Sequence, residues 1–368
     1  MKEMKEKFGT KNLIKIGLAI IAIIVIVVVA SLMYHAYFYK KSFSEIEQIM
    51  VDAALEYYSD HQKNLPQKSN ETVNIKTDTL ISGEYMRPIG EYLKDDEILC
   101  KGSVNITNIN GKYRYVPLLD CGKDYTYVFI TDYIKKHNRI VTSGDGLYQN
   151  GNNYVFRGEK VNNYVSFAGN EWQIIKIEDD KIYLIFNGVL ERTSWDDRYN
   201  KDRDSYDGIN NYSVSRIKEY LDKLYKGNSL FSDDDKLLVV PYNVNVSKIG
   251  EDDKYKYGDE VSFTNLDNQN IGILSVYDYM NASLDTDCTY PISPNCSNYN
   301  YSVKYDYNFW LSSADKNTSY YVYITSYDQG AYLNKASSNG YVRPVIAISK
   351  DAIYVSGKGT SKSPYIFK

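Results

Sequence analysis

The pattern of apolar and polar positions changes character several times along the chain. From Ile16 to Met33 it is solid: "IGLAIIAIIVIVVVASLM" carries no charge. As a helix this run covers roughly 27 Å, close to the thickness of a bilayer's hydrocarbon core. From Phe43 the spacing turns helical, with Phe43, Ile46, Ile49, Met50, Ala53 and Tyr57 on one face. Asn64-Leu65-Pro66 ends that helix. Alternation then predicts a hairpin, Val104 and Ile106 on one arm and Tyr113, Tyr115 and Pro117 on the other, turning at Asn110-Gly111.

Past the polar bridge "TDYIKKHNRIVTSGDG" come many short strands with Gly, Asn and Asp turns. "WQIIKIEDDKIYLIF" predicts a hairpin turning at "EDDK". "SVSRIKEYLDKLY" predicts a helix with Val214, Ile217, Leu221 and Leu224 inward, capped by Ser213 or Ser215. The tail from Asn308 predicts three antiparallel strands joined at "SYDQG" and "SSNG".

Charge gives the first apolar run a direction. Lys2, Lys5, Lys7, Lys11 and Lys15 precede it, and only Lys40 and Lys41 follow, which places the N-terminus in the cytoplasm and the rest outside. Tyr34, Tyr37, Phe38 and Tyr39 extend the run with interfacial aromatics. Val28-Val29-Ala30 could serve as a signal-peptide cleavage site, but the apolar run passes through it, so the segment reads as a retained anchor.

The net charge of −4 and the lack of a basic stripe argue against nucleic acid as a partner. The 39 tyrosines admit a recognition surface. Shared A/T-rich codons explain the abundance of Tyr, Asn, Lys and Ile together. His35, His61 and His137 are scattered, and the cysteines form two local pairs, Cys100/Cys121 and Cys288/Cys296, without metal-ligand spacing. Outside a membrane such pairs read as disulfides.

The succession "ISGEYMRPI", "ILCKGSVNI" and "YRYVPLLDCGKDY", behind the long apolar helix, resembles type IV pilin-like proteins of Gram-positive surfaces over roughly residues 12 to 125. The processing site departs from that pattern: Ile14 stands where a prepilin after Gly9 has Glu. A second resemblance covers about residues 142 to 368. "GLYQNGNNYVFRGEKVNNYVSFAGNEWQIIKI", "YNFWLSS", "YVRPVIAI" and "SGKGTSKSPY" are similar, in that order, to a bacterial surface domain of unknown function related to the C-type-lectin-like and formylglycine-generating-enzyme fold. It implies an α+β unit with recognition in its loops.

The sharper chemistries lack their residues. Calcium-dependent sugar binding needs a Glu-Pro-Asn or Gln-Pro-Asp tripeptide, and "SPN" at Ser293 has no acidic oxygen. In the acidic loop, Asn200, Asp202 and Asp204 alternate as in an EF-hand, but Ser205 and Asn211 occupy the positions of the turn Gly and the bidentate Glu. Trp172, Trp195 and Trp310 read as core, and Arg343 as the partner of a buried carboxylate.

The expectation is therefore an α+β protein with a cytoplasmic tip and transmembrane helix at 1–41. A pilin-like stalk follows at 42–130, then a linker at 131–145 and a C-type-lectin-like domain at 146–368. Its expected work is non-catalytic binding of an extracellular glycan or protein at a cell surface, without a cofactor or metal. A minor pilin in a pilus or secretion filament is the alternative. The exposed candidates for ligand contact are Tyr327, Asp328 and Gln329 in one turn, with Tyr332, Asn334 and Asn339 near it.

Overall fold

The structure, a computed structural model, describes residues 15–31, 34, 39–95, 97–179, 181–259, 261–303 and 306–368. The first helix, α1, covers 15–31. Among the described residues no helix is long and apolar enough to cross a membrane. Leu32 and Met33, which the expected span included, lie outside the described residues, as do Lys2, Lys5, Lys7 and Lys11. This corrects the expectation of a single-pass anchor. The membrane partner, the cell-membrane location with a cytoplasmic N-terminus, and the anchored or pilin-type role lose their support with it.

The chain divides into two units, Met1–Thr126 and Tyr127–Lys368. In the first, α2 (Phe43–Asp60) begins with a capping box: Ser42 Oγ accepts from Glu45 N–H, and Ser42 N–H donates to the Glu45 carboxylate. Its buried face carries Ile46, Met50, Ala53, Ala54 and Tyr58. That face packs on a three-stranded antiparallel sheet ordered β1 (Thr72–Lys76), β2 (Lys101–Ile109), β3 (Lys112–Asp120). Asn110 and Gly111, both at positive φ (53° and 89°), make the tight β2–β3 turn. Gly102 lets α2 approach: a Cβ there would lie 2.6 Å from Thr77 Cγ2 and 2.9 Å from Met50 Cε. Two short helices, α3 (Thr77–Ser82) and α4 (Ile89–Leu93), close the core, and the Cys100–Cys121 disulfide ties the open end of the hairpin.

The second unit opens with α5 (Ile130–His137), whose Ile130 and Ile134 are fully buried in its core. Much of the expected linker is thus built into the fold. The strands β4 (Gly146–Asn150), β5 (Asn153–Arg157), β6 (Tyr164–Phe167), β7 (Asn170–Glu178) and β8 (Lys181–Phe186) follow. After β9 (Arg192–Ser194) comes α6 (Arg216–Lys226), capped by the Ser215 hydroxyl with Ile217 and Leu221 buried. Val214 precedes that helix and is exposed, which corrects its inward assignment.

Four short strands come next, β10 (Val239–Val240), β11 (Tyr242–Asn245), β12 (Lys248–Ile249) and β13 (Asn265–Gln269). They lead to β14 (Gly272–Ile273) and α7 (Val276–Asn281). The tail holds β15 (Trp310–Asp315), β16 (Tyr321–Ser326), β17 (Gly330–Lys335), β18 (Asn339–Tyr341) and β19 (Pro344–Ile348), closed by β20 (Tyr354–Ser356) and β21 (Ile366–Phe367).

The main sheet runs β10-β19-β8-β7-β5-β4, with β14 beside β19 and β6 beside β7. Its centre is a block of aliphatic pairs, including Ile346 opposite Leu184 and Ile348 opposite Ile182. A second sheet runs β12-β15-β16-β17. The tail does not continue as a simple meander. β18 leaves to pair with β9, Asn339 opposite Ser194, and β19 joins the main sheet.

The three tryptophans are fully buried, each indole N–H donating to a carbonyl: Trp172 to Phe167, Trp195 to Leu311 and Trp310 to Thr193. Arg343 is fully buried as well, but it donates to the carbonyls of Phe186 and Ser302, not to a carboxylate.

Candidate functional site

The sequence candidates divide into two places on the second unit. Tyr327, Asp328 and Gln329 form the exposed turn between β16 and β17, closed by Gly330 at φ +73°. The turn backs onto the loop stapled by Cys288–Cys296. Ala331 N–H donates to Pro291 O at 3.0 Å, and the Ser297 hydroxyl donates to Ser326 O at 3.0 Å. The disulfide therefore positions a turn rather than a reactive thiol.

Tyr332 and Asn334 share one face of β17, two residues apart. The same face carries Ile324 opposite Tyr332. β18 crosses over that face: a Cβ at Gly340 would meet Ile324 Cδ1 at 2.7 Å and Trp310 Cε2 at 2.8 Å, so only glycine lets the ribbon lie this close. The crossing brings in residues that local sequence reading missed. Asn308 Nδ2 donates to the Tyr332 hydroxyl at 3.3 Å, and Tyr307 meets Tyr341 edge-on at 4.9 Å. The Arg192 guanidinium lies 5.5 Å from the Tyr341 ring and donates to Asn339 O at 3.0 Å. Asn334 Oδ1 accepts from the Ser338 hydroxyl at 3.1 Å.

Tyr307, Asn308, Tyr332, Tyr341, Arg192 and Asn339 thus make one surface on the β9–β18 ribbon and its border. Tyr307 is 40% exposed. Burial raises the Tyr332 hydroxyl above its ordinary pKa, with the Asn308 bond opposing, so it is a neutral donor and acceptor at physiological pH. The signal in sequence was there: "DYNFW" and "GYVRP" each place a Tyr beside a core landmark. What local pattern could not supply was the pairing that joins them.

Other polar clusters spend their hydrogen bonds within the protein. In the acidic loop, Asn200 Nδ2 donates to Gly208 O at 2.6 Å and Ser319 O at 3.1 Å, while Asp204 accepts from the Tyr199 hydroxyl. Asn200, Asp202 and Asp204 therefore form no cation cage, and among the described residues no group of three or more His, Cys, Asp or Glu could hold a metal. Lys176 lies 2.9 Å from Glu178 and 3.3 Å from Asp278. Burial alone would lower its pKa, but the two carboxylates outweigh that and raise it, so it is a held cation and not an available nucleophile. The adjoining cavity of about 30 Å³ has room for a water and little more. The first unit carries an open cleft of about 470 Å³ between α2 and β3, with Tyr58, Tyr113 and Tyr115 in its lining.

No family model, curated protein or solved structure matches this chain.

Proposed function

We propose that the second unit is a non-catalytic recognition module whose ligand is a saccharide, held on the surface around Tyr332. One observation carries the reading: Tyr307, Tyr332 and Tyr341 are grouped with the amide of Asn308 and the guanidinium of Arg192 on a short, well-packed ribbon. Tyrosine rings offer flat apolar faces to the C–H faces of a sugar ring and keep a polar edge. Planar amides and a guanidinium supply the directional hydrogen bonds that adjacent sugar hydroxyls require. A protein-binding patch would centre on a desolvated apolar anchor. The exposed aliphatic side chains of this unit, Val128, Ile140, Val214, Val355 and Ile366, belong to other elements. The resemblance of residues 142 to 368 to the C-type-lectin-like scaffold supports the same reading, without its calcium motif.

A glycan array probed with the whole chain tests this. The expected result is a coherent set of related saccharides, lost in Tyr332→Ala and in Tyr307→Ala and kept in Tyr206→Ala, an exposed tyrosine elsewhere in the unit. Equal binding by all four proteins, or none by any, overturns the reading.

A further inference from the structure

We propose that Arg343 and Tyr301 bind a small monovalent anion, of the size of chloride or bromide, inside the second unit. Arg343 is fully buried, at 0% exposure. Its Nε donates to Phe186 O at 3.0 Å, its Nη1 donates to Ser302 O, and its guanidinium lies 4.8 Å from the Phe309 ring. Two carbonyls and a ring face leave the positive charge without a counter-charge, and no carboxylate among the described residues forms an ion pair with it. Among the described residues its Nη2 finds no acceptor. Burial lowers the pKa to about 9, still above neutrality, so the side chain enters the fold as a cation.

The neighbouring hydroxyl has the same deficit. Tyr301 is 6% exposed, and its OH has no hydrogen-bond partner among the described residues. It precedes Ser302, whose carbonyl receives Nη1, and the Arg343 charge opposes the rise in pKa that burial and Asp278 give it. Asp278 also acts on Tyr301, but that carboxylate is already engaged by Lys176 at 3.3 Å and by the Ser275 hydroxyl at 2.7 Å. A buried cation with an unused donor of its own, and a second unused donor on the residue before its Ser302 partner, is the complement of a compact anion, which accepts from any direction and cancels the charge. The chain links the site to the proposed ligand surface. Phe309, the ring under the guanidinium, follows Asn308, and Arg343 stands two residues after Tyr341.

Thermal unfolding of the whole chain at pH 7 and fixed ionic strength tests the proposal, with sodium chloride, bromide or gluconate as the salt. The midpoint should rise by roughly 3 °C or more in chloride or bromide relative to gluconate. Tyr301→Phe keeps the ring and removes one donor, and should raise the half-saturating halide concentration severalfold; Arg343→Met should abolish the dependence. A crystal grown in bromide should give an anomalous peak beside Nη2. Identical midpoints in the three salts, an unchanged response in Tyr301→Phe, or a water in place of that peak would each overturn it. Tyr301→Phe keeps the test decisive if Arg343→Met fails to fold.

Discussion

The Asn308 side-chain amide donates to the Tyr332 hydroxyl across 3.3 Å, joining the segment before β15 to the outer strand of its sheet. Removing the hydroxyl alone, in Tyr332→Phe, keeps the ring and its packing. The loss should be about 0.5–1.5 kcal/mol in urea unfolding, the ordinary net contribution of one hydrogen bond. A change above about 3 kcal/mol would mean that the tyrosine is a core residue and not a surface one.

Gly340 decides whether the β9–β18 ribbon can lie on the second sheet. Gly340→Ala drives a methyl group against Ile324 and Trp310, and should cost about 1–3 kcal/mol by overpacking. Near-UV circular dichroism of the tryptophans should change with it. An unperturbed spectrum and full stability would show that the ribbon is free to move aside.

The Cys288–Cys296 bridge closes a loop with a sequence separation of 8. By the chain-entropy argument, replacing both cysteines by serine should cost about 2.5 kcal/mol. Hydrogen exchange should accelerate in residues 291–297 and in the turn they support, 326–331. Faster exchange elsewhere, with this segment unchanged, would contradict the positioning role.

Much of the architecture was legible locally. Asn110-Gly111 marks its hairpin because both residues tolerate positive φ, and Ser42 and Ser215 announce their helices because a hydroxyl can accept an unpaired N–H at the first turn. The apolar run from Ile16 to Met33 predicts a span by its length alone, whereas no helix among the described residues is long and apolar enough to cross a membrane. The pairing of β18 with β9 had no local trace. Asn339 meets Ser194 across most of the unit's length, and a three-residue strand carries too little periodicity to name its partner. Arg343 was assigned a carboxylate because a buried cation calls for one, and the fold supplied carbonyls instead. The same remoteness hid half of the candidate surface. Tyr332, Asn334 and Asn339 were found as loop polar residues, whereas Tyr307, Asn308, Tyr341 and Arg192 join them only through the long-range pairing.

Acid should loosen the contact between the acidic loop and β17. Asp207 is held below its ordinary pKa of 3.8, first by its hydrogen bond from Lys335, at 2.9 Å, then by that from Ser205. A carboxylate depressed in the folded state contributes stability that is present above its unfolded pKa and lost as the pH falls through the folded value. Asp207→Asn should therefore remove a small increment of stability at neutral pH, small because Lys335 is exposed, and almost none at pH 3, which flattens the pH dependence below about pH 4. An equal loss at pH 7 and pH 3 would contradict this assignment.

Isothermal titration with a saccharide identified on the array measures the central claim directly. The whole chain should bind it with one site per molecule, and Tyr341→Ala should weaken binding by at least tenfold while its circular dichroism shows it folded, and Tyr206→Ala should bind as the parent does. Undiminished affinity in Tyr341→Ala would place the ligand elsewhere and contradict the account.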